Sequence, residues 1–208
     1  MTNVALDLSV TSKPSRTPIQ LNETIKAQFK VSSRTAIARA KESAPLQVLI
    51  EKSLLSKGST LHFGKGRAHL DSAALLRATG SCSDYDYIHH PDIEVLGSSY
   101  TNVYASYVVN TLQFTARMYV YQIIAKSTNG IAFIAARSDN IKGTPNGDGL
   151  LTSVKTFQKK YLQGELLKEA NGHFEHVIEI KGRAGFQLVA CSHNPLPDHI
   201  LANQKKVK

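Results

Sequence analysis

The chain has 208 residues, of which 42% are apolar and 20% charged, and carries a formal net charge of +9. That length supports one domain with a sizeable core and excludes two full domains, while the composition excludes wholesale disorder. The surplus of cations calls for an anionic partner, with DNA or RNA as the natural candidate. Much of it lies in an N-terminal segment (Lys26, Lys30, Arg34, Arg39, Lys41) and a tail (Lys205, Lys206, Lys208), and many basic proteins bind no nucleic acid.

No apolar run is long enough to span a bilayer, and "MTNVALDLSVTSKPSR" lacks the basic start and long apolar core of a secretory signal. A cytoplasmic protein without membrane contact is expected. Cys82 and Cys191 have neither metal-knuckle spacing nor the density of a disulfide framework, and read as idle thiols, with no metal site expected.

Residues 1 to 30 are rich in Ser, Thr, Asn and Lys with no sustained period, which predicts a mobile N-terminal arm. Residues 31 to 194 form the predicted domain and 195 to 208 a basic tail. From Ser33, "SRTAIARAKESAPLQVLIEKSLLSKG" reads as two helical pieces separated near Ala44-Pro45 and stopped at Gly58. "STLHFGKGRAHLDSAALL" (59 to 76) follows as a strand, a glycine turn and the start of a helix that ends at Gly80. "SCSDYDYIHHPD" is a polar strand end leading into a loop.

The run "TNVYASYVVNTL" alternates Val103, Ala105, Tyr107 and Val109 within an apolar stretch, as in a strand buried on both faces of a parallel sheet. "FTARMYVYQIIAKSTNG" is a predicted helix stopped by Asn129-Gly130, and "IAFIAARS" another buried strand. A helix near 162 to 171, the strand "HFEHVIEIKG", a tight connection at Gly182 to Gly185 and the strand "FQLVACS" complete the chain. Strands so briefly joined are antiparallel. The pattern predicts an α/β domain whose mostly parallel sheet is flanked by helices and closed by a C-terminal antiparallel hairpin.

This order resembles the class I (Rossmann-like) S-adenosylmethionine-dependent methyltransferases. The segments "SRTAIARAKESAPLQVLIEKSLLSKGSTLHFGKGRAHLDS", "YDYIHHPD" and "VYASYVVNTL" more closely resemble a phage and bacterial methyltransferase-like group that includes proteins associated with DNA phosphorothioation. The resemblance covers about residues 33 to 193 and implies S-adenosylmethionine as cofactor. It places Gly64 and Gly66 under the methionine part. The acid that usually ends the first strand is His62 here, the residue between the glycines is Lys65, and a third glycine is Ala68. Asp86 matches the acid that accepts from the ribose hydroxyls, with Asp84 as the alternative two residues away. Tyr107 and Asn110 are expected beside the cofactor, or else as core packing and a helix cap.

Against the patterns of the amino-group DNA methyltransferases and the cytosine-carbon enzymes, "SYVVNTL" carries neither the paired prolines nor a cysteine, so the resemblance supports neither chemistry. The segment "RSDNIKGTPNGDGLLTSVKTFQKKY" (137 to 161) is long, polar and glycine-rich. Arg137, Asp139, Thr156, Phe157 and Gln158 are candidates for a substrate lid, with Lys155, Lys159 and Lys160 suited to phosphates around a base stacked on Phe157. The alternative is a solvated loop anchored by Phe157 in the core.

Two functions follow. In one, a working methyltransferase keeps its loop through a hydrogen bond from His62, and Lys65 pairs with the methionine carboxylate. In the other, His62, Lys65, Arg67 and His69 at a helix N-terminus form an anion site on a non-catalytic module that binds a nucleotide or nucleic acid.

Overall fold

The computed structural model describes residues 22–205. A six-stranded sheet in the order β2-β1-β3-β4-β9-β8 forms the centre. Strands β1 (Thr60–Phe63), β2 (Ser83–Tyr85), β3 (Tyr100–Ser106) and β4 (Thr128–Arg137) run parallel. Strand β9 (Phe186–Ser192) lies antiparallel to β4 and pairs antiparallel with β8 (His176–Glu179). The predicted sheet and its closing hairpin are both present. Parallel neighbours need long returns, and helices α3 (His69–Thr79) and α4 (Phe114–Ser127) provide two of them.

Successive residues of a strand face opposite sides of the sheet, so each strand feeds two cores. Leu61, Phe63, Val103, Ala105 and Ile134 pack beneath α1 (Glu23–Ser32), α4 and α5 (Glu165–Ala170). Tyr104, Phe133 and Ala135 pack beneath α2 (Ala44–Glu51), α3 and α6 (Asp198–Leu201). Burial on both faces is why β3 and β4 read as nearly continuous apolar runs.

Five expectations change. The predicted mobile arm, 1 to 30, overlaps α1, because Ile25 and Phe29 fall on one helical stripe and bury it, with Asn22 capping the Ile25 amide at 2.9 Å. Residues 1 to 21 lie outside the described residues. The first helical piece after Ser33 shrinks to one 3-10 turn, Ser33–Thr35, and the chain then runs irregularly to α2. The basic tail is partly packed, since α6 buries Ile200 and Lys205 Nζ lies 2.6 Å from Glu179; residues 206 to 208 lie outside the described residues.

The polar segment after β4 folds into a second, antiparallel sheet in the order β5-β6-β7, made of β5 (Thr144–Asn146), β6 (Gly149–Leu151) and β7 (Phe157–Gln158). It is anchored from below. Arg117 of α4 is wholly buried, meets Asp148 between β5 and β6, and lies 3.0 Å from Glu169 of α5. A buried guanidinium is tolerated only when such partners take its donors.

Asn129 and Gly130 do not stop α4, which passes into β4 at Thr128 without a loop. Gly130 is instead required inside the strand, where pairing with β3 shifts register between Tyr100 and Asn102. A Cβ there would come 2.3 Å from the Thr101 carbonyl oxygen. Gly130→Ala is therefore expected to lower stability by about 1–3 kcal/mol in urea denaturation; an unchanged midpoint would show that the two strands can separate freely at this point.

Candidate active site

The chain leaves β1 at Phe63 and turns through Gly64 (φ 69°) and Gly66 (φ 54°), conformations that side-chain-bearing residues rarely adopt. Space demands glycine as well. A Cβ on Gly64 would lie 2.3 Å from Val108 Cγ2, and one on Gly66 3.0 Å from the Ala36 Cβ. The loop is thus gripped between the end of β3 and the irregular segment ahead of α2.

Strand β2 ends beside it and holds it. The amides of Gly64 and Lys65 donate to the Tyr85 carbonyl at 2.8 and 3.1 Å. Asp86 Oδ2 accepts from the Gly66 amide at 3.0 Å, and its Oδ1 accepts from Ile88 and His89 amides at 3.0 and 2.9 Å. A carboxylate has about four acceptor positions, so Asp86 retains capacity for a ligand donor.

Both elements open on one cleft at the carboxyl ends of the parallel strands. Phe29 and Tyr87 form an aromatic wall, with ring centroids 5.6 Å apart. Ser106 and Tyr107 stand at the end of β3, with Tyr107 at φ 60° and its amide donating to the Ala135 carbonyl at 2.9 Å. Such a left-handed tyrosine stores backbone strain of the kind found at functional sites. The Arg39 guanidinium covers its ring at 5.4 Å from the centroid. Burial raises the Tyr107 phenol above its ordinary range, so it stands there as a hydrogen-bond donor.

Behind the loop lies a polar cluster. His62 Nδ1 is 3.0 Å from Ser72 Oγ, which donates to Asp84 Oδ1 at 2.7 Å. Lys65 Nζ is 3.0 Å from Asp84 Oδ2 and 2.9 Å from His90 Nε2. Burial pushes the His62 imidazole down to about 4, leaving it neutral near pH 7. The expected salt link from Lys65 to a cofactor carboxylate is corrected accordingly, because its ammonium turns inward to Asp84. Asp84 is likewise spent on Lys65 and Ser72. Of the four groups expected to gather an anion, His62 is neutral and Lys65 is paired, while Arg67 and His69 are exposed.

His62, Gly64, Lys65, Gly66, Asp86 and Tyr107 all line the cleft, as does Arg67. Asn110 does not. It is buried beneath the second sheet, with Nδ2 donating to Gln158 Oε1 at 3.1 Å and its carbonyl accepting from the Lys159 amide at 2.7 Å. Thr156, Phe157 and Gln158 are buried in the same place, so they are no open lid. The Phe157 ring packs onto Gly149, where a Cβ would come 2.5 Å from it, and is largely buried. Arg137 pairs with Asp139 at 2.9 Å outside the cleft, and Lys159 is buried between Asp148 and Glu165. Phe29, Ala36, Arg39, Tyr87 and Val108 escaped sequence reasoning; only the aromatic character of Tyr87, next to Asp86, offered a signal.

No family model and no curated protein matches the chain. Solved structures do match in fold. A 1,6-didemethyltoxoflavin-N1-methyltransferase of Burkholderia thailandensis, with bound 1,6-didemethyltoxoflavin and S-adenosylhomocysteine, is 14% identical at a TM-score of 0.55, over 84% of this chain and 92% of that one. The fold is that of Rossmann-like methyltransferases. A Rhodobacter sphaeroides protein described as a Zn-dependent alcohol dehydrogenase gives 0.54 at 10% identity, over 84% of this chain and 100% of that one. A DhpI–S-adenosylhomocysteine complex gives 0.50 at 9%, over 83% and 97%. At these identities the likeness is one of fold.

The neutral His62 has a consequence for stability. Its folded-state pKa lies below the unfolded value, so the unfolded chain binds the extra proton first. The stability it contributes is complete above about pH 6.5 and is lost as pH falls toward about 4. Urea denaturation across that window is expected to show a steeper decline for wild type than for His62→Asn; equal slopes would mean that His62 is not held neutral.

Proposed function

We propose that this chain is an S-adenosylmethionine-dependent methyltransferase. The observation that carries the reading is the cleft in which Asp86 closes the glycine loop through the Gly66 amide while keeping acceptor capacity, beside the Phe29–Tyr87 wall. These residues fit the cofactor. Gly64 and Gly66 would let backbone approach its methionine part, Asp86 would accept from the ribose hydroxyls, and Phe29 and Tyr87 would flank the adenine. The cofactor supplies a methyl group already activated by positive sulfur, so the protein's own task is alignment. Ser106 and Tyr107 would line the acceptor's approach.

Two neighbours in fold were crystallised with S-adenosylhomocysteine, which supports the same cofactor here. The phage and phosphorothioation-associated subgroup rests on the motif train alone. A nucleic-acid acceptor is supported by the net charge of +9.

Calorimetric titration with S-adenosylhomocysteine tests the reading. Wild type is expected to bind, and Asp86→Ala to bind at least about tenfold more weakly, the scale of a lost charge-assisted hydrogen bond. Unchanged affinity in the variant would remove Asp86 from the site. Salt-sensitive binding of inorganic phosphate, with no binding of S-adenosylhomocysteine, would favour the anion module instead.

A further inference from the structure

The turn after β2 touches the glycine loop twice. Asp86 and His90 close it by reciprocal backbone hydrogen bonds of 2.9 and 3.0 Å, which makes them parts of one rigid unit. From that unit Asp86 holds the Gly66 amide, and His90 Nε2 lies 2.9 Å from Lys65 Nζ, on the residue just before. An ammonium has donors only, so at this distance Nε2 is the acceptor and the imidazole proton sits on Nδ1. A doubly protonated ring could not accept at all.

We propose that His90 is a positioning residue for the glycine loop: its neutral ring keeps Lys65 seated against Asp84, and protonation of that ring releases the loop and weakens cofactor binding. The inference rests on the reading of the cleft as a cofactor site. Lys65 is only 6% exposed. Two cations in hydrogen-bond range repel strongly in such surroundings, and displacing the Lys65 ammonium acts on the residue between Gly64 and Gly66. Its backbone is what the ligand must approach. His90 itself is half-buried, so solvent protons reach it.

The charges facing His90 come from each neighbouring element. Lys65 on the loop and His69 at the start of α3, whose ring centroid is 6.2 Å away, oppose its protonation; Asp84 on β2 and Asp86 on the turn favour it. Burial is the largest opposing influence, ahead of Lys65, and the net direction is downward from the ordinary histidine value. The latch is therefore closed at neutral pH and opens on acidification, below about pH 6.5. Through Asp84 and Ser72 the same contact reaches His62, so the whole cluster behind the loop shares the strain of a displaced Lys65.

The test is calorimetry with S-adenosylhomocysteine, whose own groups keep their charge across about pH 7.5 to 5.5. Wild-type affinity is expected to fall over that range by up to about tenfold, the limit for a ring titrating at the ordinary histidine value. His90→Gln keeps an acceptor oxygen without titrating, and should match wild type within about twofold at the upper pH while losing the pH dependence. A wild-type affinity that does not change with pH, or a His90→Gln variant with an undiminished fall, overturns the proposal. A second measurement needs no cofactor: in proton NMR the His90 ring should titrate below the ordinary histidine range and move up toward it in Lys65→Met. An unmoved titration overturns the Lys65–His90 contact. Absence of binding by wild type at every pH would instead overturn the cofactor reading, and the ring titration would then decide the contact by itself.

Discussion

The hold of the β2 end on the glycine loop is the constraint from which the site follows. Three consecutive amides, of Gly64, Lys65 and Gly66, find their acceptors in the Tyr85 carbonyl and the Asp86 carboxylate. Each buried amide left without an acceptor would cost about 1–3 kcal/mol, so the loop cannot keep its left-handed glycines without that strand end. The parallel direction of β1, β2 and β3 brings all three carboxyl ends to one edge, and the cleft forms there because Tyr107 and the Phe29–Tyr87 wall meet the loop at that edge.

The departures in the loop acquire a common physical explanation. His62 and Lys65 each place a nitrogen near Asp84, behind the loop. A lysine that is almost wholly buried needs a carboxylate nearby to offset its desolvation, and Asp84 lies where the β1–β2 register sets it opposite His62. Lys65 is thus directed into the fold between β1 and α3, while Arg67 and Asp86 face the cleft.

The second sheet answers a different demand. A polar segment of this length next to a domain core needs partners for its backbone, and three short antiparallel strands supply them. Arg117, Asp148 and Glu169 then tie α4, the β5–β6 turn and α5 together from beneath. With Phe157 packed on Gly149 and Asn110 bonded to Gln158, that region supports the rim of the domain, while the segment ahead of α2 lines the cleft.

Much of this was legible in the amino-acid order, for reasons of period and local chemistry. Apolar runs marked β3, β4 and β9; glycines marked the loop; a connection too short for a crossover marked the final hairpin; and Asp86 stood out as an acid at a strand end. Other features depended on residues far apart in the chain. Ile25 and Phe29 make a helix only because the sheet face formed by Phe63 and Val103 is there to bury them, and their segment by itself is too polar to announce it. Lys65 turns inward only because Asp84 and His90 lie across from it, and the strands from 144 to 158 carry too few apolar residues to be read before Arg117 anchors them. By itself, then, the sequence determined the α/β layering, the strand directions and the position of the glycine loop, since each follows from local periodicity and connection length. Which side chains face the cleft and which charges are buried was decided by tertiary structure, because the free energy of a buried charge depends on partners that only folding brings within hydrogen-bond reach.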